Sequence, residues 1–97
     1  RLGQPRINIL PADLFGRAPD NATHIGLRPE HIKQGEGEDA FVKRVEHLGD
    51  QTRLHLQFKN HDLITVTEAH TPLRSGDIVK IQPDRPFYFN AEGARIA

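Results

Sequence analysis

Thr52-Arg53-Leu54-His55-Leu56-Gln57-Phe58-Lys59 is the stretch on which the reading of this chain turns. Leu54, Leu56 and Phe58 alternate with Arg53, His55, Gln57 and Lys59. A period of two is that of a β-strand with one face on a core and the other in water. On a helix the same residues would scatter round the axis and bury nothing coherent.

The segments on either side follow the same logic. Asn60-His61-Asp62 reads as a hairpin turn, and the β-branched run from Leu63 to Glu68 as its returning strand. Toward the N-terminus, Gly49-Asp50-Gln51 reads as another hairpin turn and Ala40 to Leu48 as the strand before it. Gln34 to Asp39, with Gly35 and Gly37, reads as a polar loop. Thr23 to Arg28 is predicted as a strand with Ile25 and Leu27 on one face. Pro29 ends it in a turn, or a single 3₁₀-type turn, and holds Arg28 extended. Leu73 to Asp77 reads as a loop and Ile78 to Gln82 as a strand stopped by Pro83 and Pro86. Phe87-Tyr88-Phe89 is a short aromatic strand, followed by a turn at Gly93 and a stub ending at Ile96. Residues 1–22 form an entry segment broken by Gly3, Pro5, Pro11, Gly16 and Pro19. Only Ile7-Asn8-Ile9-Leu10 is strand-like there, and the prolines place such a strand at an edge.

Short strands with turns every 8–12 residues, and no 3.6-residue apolar period beyond about one turn, predict an all-β fold. For this length the expected architecture is a small OB-like Greek-key barrel of short antiparallel strands. It would comprise residues 23–97, with residues 1–22 as an irregular N-terminal entry segment. Ile25, Leu27, Val42, Leu54, Leu56, Phe58, Val66, Val79 and Ile81 are the expected core.

The chain has 97 residues, enough for a single modest core. Its 13 basic and 13 acidic residues cancel. The phosphate-binding charge that dominates nucleic-acid affinity is therefore lacking, as is the charge for an anionic membrane surface. With no cysteine, disulfides, thiolate metal sites and thiol nucleophiles are excluded. No apolar run approaches the ~20 residues of a membrane-spanning helix, and no signal peptide is visible. A chain starting at Arg1 reads as a segment of a longer protein.

Catalytic motifs are missing from the sequence. It has no phosphate-cradling glycine loop, no nucleophile elbow and no paired-histidine zinc motif. The lone serine, Ser75, sits beside Gly76 in a turn. Of the six histidines, His47 and His55 could approach across a hairpin, but none has ligand spacing. Solvated histidines on strand faces are the expectation. Glu36, Glu38 and Asp39 read as a solvated loop. Phe87, Tyr88 and Phe89 read as packing residues rather than a base-stacking platform, because only Lys80 and Arg85 lie near them. No catalytic, cofactor or metal residue is assigned.

Four segments together carry a resemblance. Gly3-Gln4-Pro5-Arg6-Ile7-Asn8-Ile9-Leu10-Pro11-Ala12 is similar to the stretch following the ATPase domain of ABC-importer ATP-binding subunits. Gly26-Leu27-Arg28-Pro29-Glu30-His31-Ile32 resembles the most specific signature of the same family. Val45-Glu46-His47-Leu48-Gly49-Asp50 resembles its hairpin, and residues 76–96 its ending, with Asn90 where the family often has Asp. The chain is thereby identified as resembling the transport-associated OB (TOBE) domain, the C-terminal regulatory region of maltose- and glycerol-phosphate-type importer ATPases. That resemblance implies a non-catalytic regulatory and dimerisation domain, with ATP hydrolysis left to an upstream ATPase domain. It implies a second copy of the subunit, membrane permease subunits and a regulatory protein as partners, and a cytoplasmic place at the inner membrane face. Gly26, Arg28, Pro29, Glu30 and His31 become the motif and candidate interface. Arg28 and Glu30 could pair with each other to close a barrel corner, or could face a partner. Two other functions remain open: an oxyanion-binding domain of the same superfamily, and a nucleic-acid-binding OB domain.

Overall fold

A computed structural model describes residues 7–97. Seven strands make two antiparallel sheets. β1 (Asn8–Pro11), β2 (His24–Leu27) and β7 (Phe87–Phe89) form a small sheet in the order β1-β2-β7. β3 (Ile32–His47), β4 (Gln51–Phe58), β5 (His61–Glu68) and β6 (Ile78–Pro83) form a larger one in the order β5-β4-β3-β6. Among the described residues the only helical element is a 3₁₀ turn, Pro29–His31. The all-β, OB-like expectation holds, with one amendment: the ladders do not close the two sheets into a continuous barrel.

β4 forms the floor of the core. Leu54 and Leu56 are fully buried and Phe58 nearly so, as the alternation requires. β2 lays Ile25 and Leu27 against them, and β3 and β6 add Val42 and Ile81. Val79 is only partly buried. Val66 is not in the buried core, which corrects the predicted list. The ladder pairs Leu56 with Leu63 and Leu54 with Thr65, so the inward residues of β5 are Leu63 and Thr65, and Val66 points the other way beside Arg53. Strand propensity gives β5 its β-branched residues but does not say which of them face inward.

Two turn assignments also change. His61 is already in β5, paired with Phe58, so the hairpin turn is Lys59-Asn60. Both residues have positive φ, 48° and 69°, the two-residue geometry that matches strand twist. Gln34 to Asp39 is not a free loop. It lies inside β3, where Gln34 and Glu38 both lie opposite Ile81 and the residues between them bulge out.

The described part of the entry segment, residues 7–22, packs on the core; Gly3 and Pro5 of that segment lie outside the described residues. Leu10, Ala12 and Leu14 are buried, and Phe15 stacks on Phe58 with ring centroids 4.7 Å apart. Lys59 Nζ donates to the Leu14 carbonyl at 2.9 Å and pairs with Glu38 at 3.0 Å, tying this segment to the β4–β5 hairpin.

The seam between the two sheets is closed by side chains. β5 is an edge strand, whose unpaired N–H and C=O groups would otherwise invite strand addition. Asn8 occupies that edge. Its Nδ2 donates to the carbonyls of Ile64 (2.8 Å) and Leu27 (3.0 Å), and its Oδ1 accepts the Ile64 N–H at 2.8 Å. The amide thus replaces a strand. Within the large sheet Gln34 Nε2 donates to the Val66 carbonyl at 3.1 Å, and the buried Thr65 hydroxyl donates to the Pro29 carbonyl at 2.7 Å, tying β5 to the 3₁₀ turn.

Candidate interaction surface

The Gly26–His31 motif turns the corner from the small sheet into β3. Arg28 is extended (φ −69°, ψ 143°) and Pro29 opens the 3₁₀ turn. Pro29 is buried, fixed by its own ring and by the Thr65 hydrogen bond. His31 N–H donates to the Arg28 carbonyl, and the His31 carbonyl accepts from Asp84 N–H, both at 2.9 Å. Its Nδ1 is buried without a hydrogen-bond partner. Pro29 and His31 therefore build the corner, while Arg28 and Glu30 are exposed at its surface.

An intramolecular Arg28–Glu30 bridge is not formed, which corrects one of the two expectations for this pair. The Arg28 guanidinium instead lies over the Phe87 ring, 5.4 Å from its centroid. Arg95 lies over the same ring at 4.2 Å. Cations are drawn to the negative face of an aromatic ring, weakly in water and more strongly where it is excluded. Neither arginine has an Asp or Glu partner among the described residues, and Arg95 Nε donates to the Ala97 oxygen at 3.3 Å.

Register explains the convergence. Ile9, Gly26 and Phe87 are opposite one another across β1, β2 and β7, as are Pro11, His24 and Phe89. These rows face away from the core, whereas Leu10, Ile25 and Tyr88 face into it. Gly26 keeps the outer face low: a Cβ there would come within 2.8 Å of the Phe89 ring and 3.0 Å of Ile7 Cδ1. Arg28 continues the outer row of β2, and Arg95 bridges to Phe89. The result is an apolar outer face with Ile9 half exposed and an open groove of about 310 Å³ beside Ile9, His24 and Phe89. Sequence reasoning singled out Arg28 and Phe87 but missed Ile9 and Arg95. The alternation of Ile7 and Ile9 with Asn8 and Leu10 was the one available signal that β1 has two apolar rows.

The outer face of the large sheet is polar at its centre. Glu46 of β3 accepts a 2.6 Å hydrogen bond from His55 Nε2 and lies 3.5 Å from Arg53 and 3.9 Å from Arg44. The hydrogen bond from His55, with the charges of Arg44 and Arg53 in support, holds the Glu46 carboxyl below its usual pKa. A His55 Nε2 that donates to Glu46 has no lone pair left for Arg44, so the 3.3 Å Arg44 approach is a close contact rather than a second bond. The register pairs His55 with Arg44 and His47 with Thr52, so these histidines do not face each other across the hairpin. Ser75 donates to the Lys43 carbonyl at 2.7 Å, tying its loop to β3.

Two packed antiparallel sheets, a motif corner tied to the core and an apolar outer face define a small all-β domain of OB-like class. Comparison with known proteins gives the family directly. Residues 25–86 match the TOBE domain, a span that includes the Gly26–Ile32 motif. This chain belongs to the TOBE domain family. It is similar to the sn-glycerol-3-phosphate import ATP-binding protein UgpC 2 of Rhizobium johnstonii, 33% identical over 88 residues. That alignment covers 78% of this chain and 26% of the relative. It is also similar to the lactose transport ATP-binding protein LacK of Rhizobium radiobacter, 30% identical over 129 residues, covering 98% of this chain and 36% of the relative. The chain thus spans roughly a third or less of the length of these relatives. No helix among the described residues is long and apolar enough to cross a membrane.

Proposed function

We propose that this chain is the non-catalytic regulatory and dimerisation domain of an ABC-importer ATP-binding subunit that serves uptake of a sugar or related solute. The observation that carries the reading is the family match together with the two relatives. Both relatives are import or transport ATP-binding proteins by name, and the chain accounts for only a minor share of each. Phosphate cradling and hydrolysis then belong to an upstream ATPase domain, since this sequence holds none of the glycine-loop chemistry that binding and cleaving ATP requires. In this reading the domain works in the cytoplasm at the inner membrane face. It pairs with a second copy of the subunit, acts on membrane permease subunits through the parent protein, and offers a regulatory protein a docking place. Nucleic acid is not a partner.

Excision of this domain from the full ATP-binding subunit tests the assignment. The truncated subunit should still hydrolyse ATP, while its tendency to pair should fall. Loss of hydrolysis by a truncated subunit that remains folded would contradict the non-catalytic role.

A further inference from the structure

The outer face of the small sheet gathers two like charges at one aromatic ring. The Arg28 and Arg95 guanidinium groups lie 5.4 and 4.2 Å from the Phe87 centroid, so they are no farther apart than those two distances together. Like charges at that range repel, and attraction to the ring offsets only part of the repulsion. No Asp or Glu side chain pairs with either group among the described residues, and residues 1–6 contain neither residue type. Arg95 Nε donates to the Ala97 oxygen, while its two terminal nitrogens and all those of Arg28 have no hydrogen-bond partner among the described residues. Both side chains are exposed. Next to this charged end the face is apolar. Phe89, about 7 Å along β7 from Phe87, lies with its ring over Gly26, which has no side chain to lift it. An open groove of about 310 Å³ follows, lined by Ile9, His24, Phe89 and Asn90. Asn90 Oδ1 accepts from the N–H groups of Glu92 and Ala94, which fixes the amide and leaves Nδ2 as a donor at the groove.

Two unneutralised guanidinium groups beside an aromatic and aliphatic groove fit a ligand with a dianion at one end and a flat, apolar body at the other. We propose that this face binds a small phosphate monoester with a ring-sized body. Its phosphate bridges Arg28 and Arg95, and its body lies against Phe89 in the groove beside Ile9. A guanidinium presents a planar fork of N–H donors that matches phosphate oxygens, and such charge-assisted bonds are about twice as strong as neutral ones. A phosphate monoester carries a charge of about −1.5 to −2 at neutral pH, enough to neutralise both arginines, whereas a carboxylate neutralises one. The apolar body gains by leaving water for Ile9 and Phe89, and Asn90 Nδ2 is placed to donate to a polar group on it. The ligand is held, not cleaved. This inference goes beyond the regulatory reading above and depends neither on pairing nor on ATP hydrolysis.

Phenyl phosphate titrated into the whole 97-residue chain at low salt, followed by NMR, tests it. Saturable shifts should appear at Arg28, Arg95, Phe87, Phe89 and Ile9. An Arg28→Gln/Arg95→Gln variant, folded by circular dichroism, should bind about 100-fold more weakly. Inorganic phosphate, which lacks the body, and benzoate, which lacks the second charge, should each bind more weakly than phenyl phosphate. Ile9→Ser should weaken phenyl phosphate and leave inorganic phosphate unchanged, while Phe41→Ser, on the large sheet, should alter neither. Absence of saturable shifts, shifts centred elsewhere, or a double variant that binds as well as the native chain would overturn the site. Inorganic phosphate or benzoate binding as tightly as phenyl phosphate would overturn the ligand class. Each of these failures leaves the regulatory reading standing, since that reading is tested by excising the domain.

Discussion

Asn8 shows how much one side chain can carry. Two backbone carbonyls and one N–H converge on its amide, and two of those groups belong to the otherwise unpaired edge of β5. Leaving partly buried backbone groups without partners costs about 1–3 kcal/mol. Asn8→Ala should therefore lower unfolding stability by about that amount, measured by urea denaturation. Asn8→Asp should be no better at neutral pH, because a carboxylate cannot donate to the two carbonyls. Glu46 offers a second test. Its folded carboxyl is held below the usual pKa, chiefly by His55. A depressed folded pKa means the stabilisation is present above the unfolded carboxylate pKa and is lost as pH falls through the folded one. Native chain should thus exceed Glu46→Gln in stability at pH 7, with the gap closing below the ordinary glutamate value of 4.5. A gap that persisted in acid would mean that the ionised form is not what stabilises the fold. Of these two residues neither announced itself by type. Asn8 sits in an apolar run, where a polar residue signals an internal hydrogen bond, but its partner on β5 is 56 positions away.

Among the elements, β4 was legible because one wet face and one dry face impose strict alternation. β3 was legible only in halves. Its Gly35-Glu36-Gly37 interruption has every local mark of a loop, yet pairing with β6 resumes at the same partner, Ile81. Only the long-range ladder reveals a bulge. The two glycines are unequal. A Cβ on Gly37 would collide with the Ile81 carbonyl oxygen, a backbone atom that cannot step aside, whereas a Cβ on Gly35 meets nothing within 4 Å. Both have positive φ, 98° and 104°, so alanine is strained at either position. Gly35→Ala should cost about 1–3 kcal/mol from backbone strain alone, and Gly37→Ala clearly more. Comparing the two melting temperatures separates strain from collision, and equal losses would show that the close approach to Ile81 does not matter. The Lys59-Asn60 turn was placed one residue late because positive φ at a lysine is not written in its chemistry. The inward faces of β5 are hidden for a related reason: β-branching marks Val66 as a strand residue, and only the register with β4 shows which face it takes.

At the scale of the whole molecule, two sheets share one core and are joined at the β1–β5 seam by side chains, with the signature corner at Pro29 pinned by Thr65. The family signature was readable because its residues are contiguous. The outer face was not, since Ile9, Phe87 and Arg95 come from three distant parts of the chain and meet only through the β1-β2-β7 ladder and the Phe89–Arg95 bridge. Dimerisation, the role proposed above for this domain, is likewise a property of the whole molecule. Sedimentation equilibrium of the native chain over a hundredfold concentration range tests the role most directly. The account predicts a mass that rises with concentration from the 11.0 kDa of one chain toward twice that value. A mass that stays at 11.0 kDa throughout would contradict it.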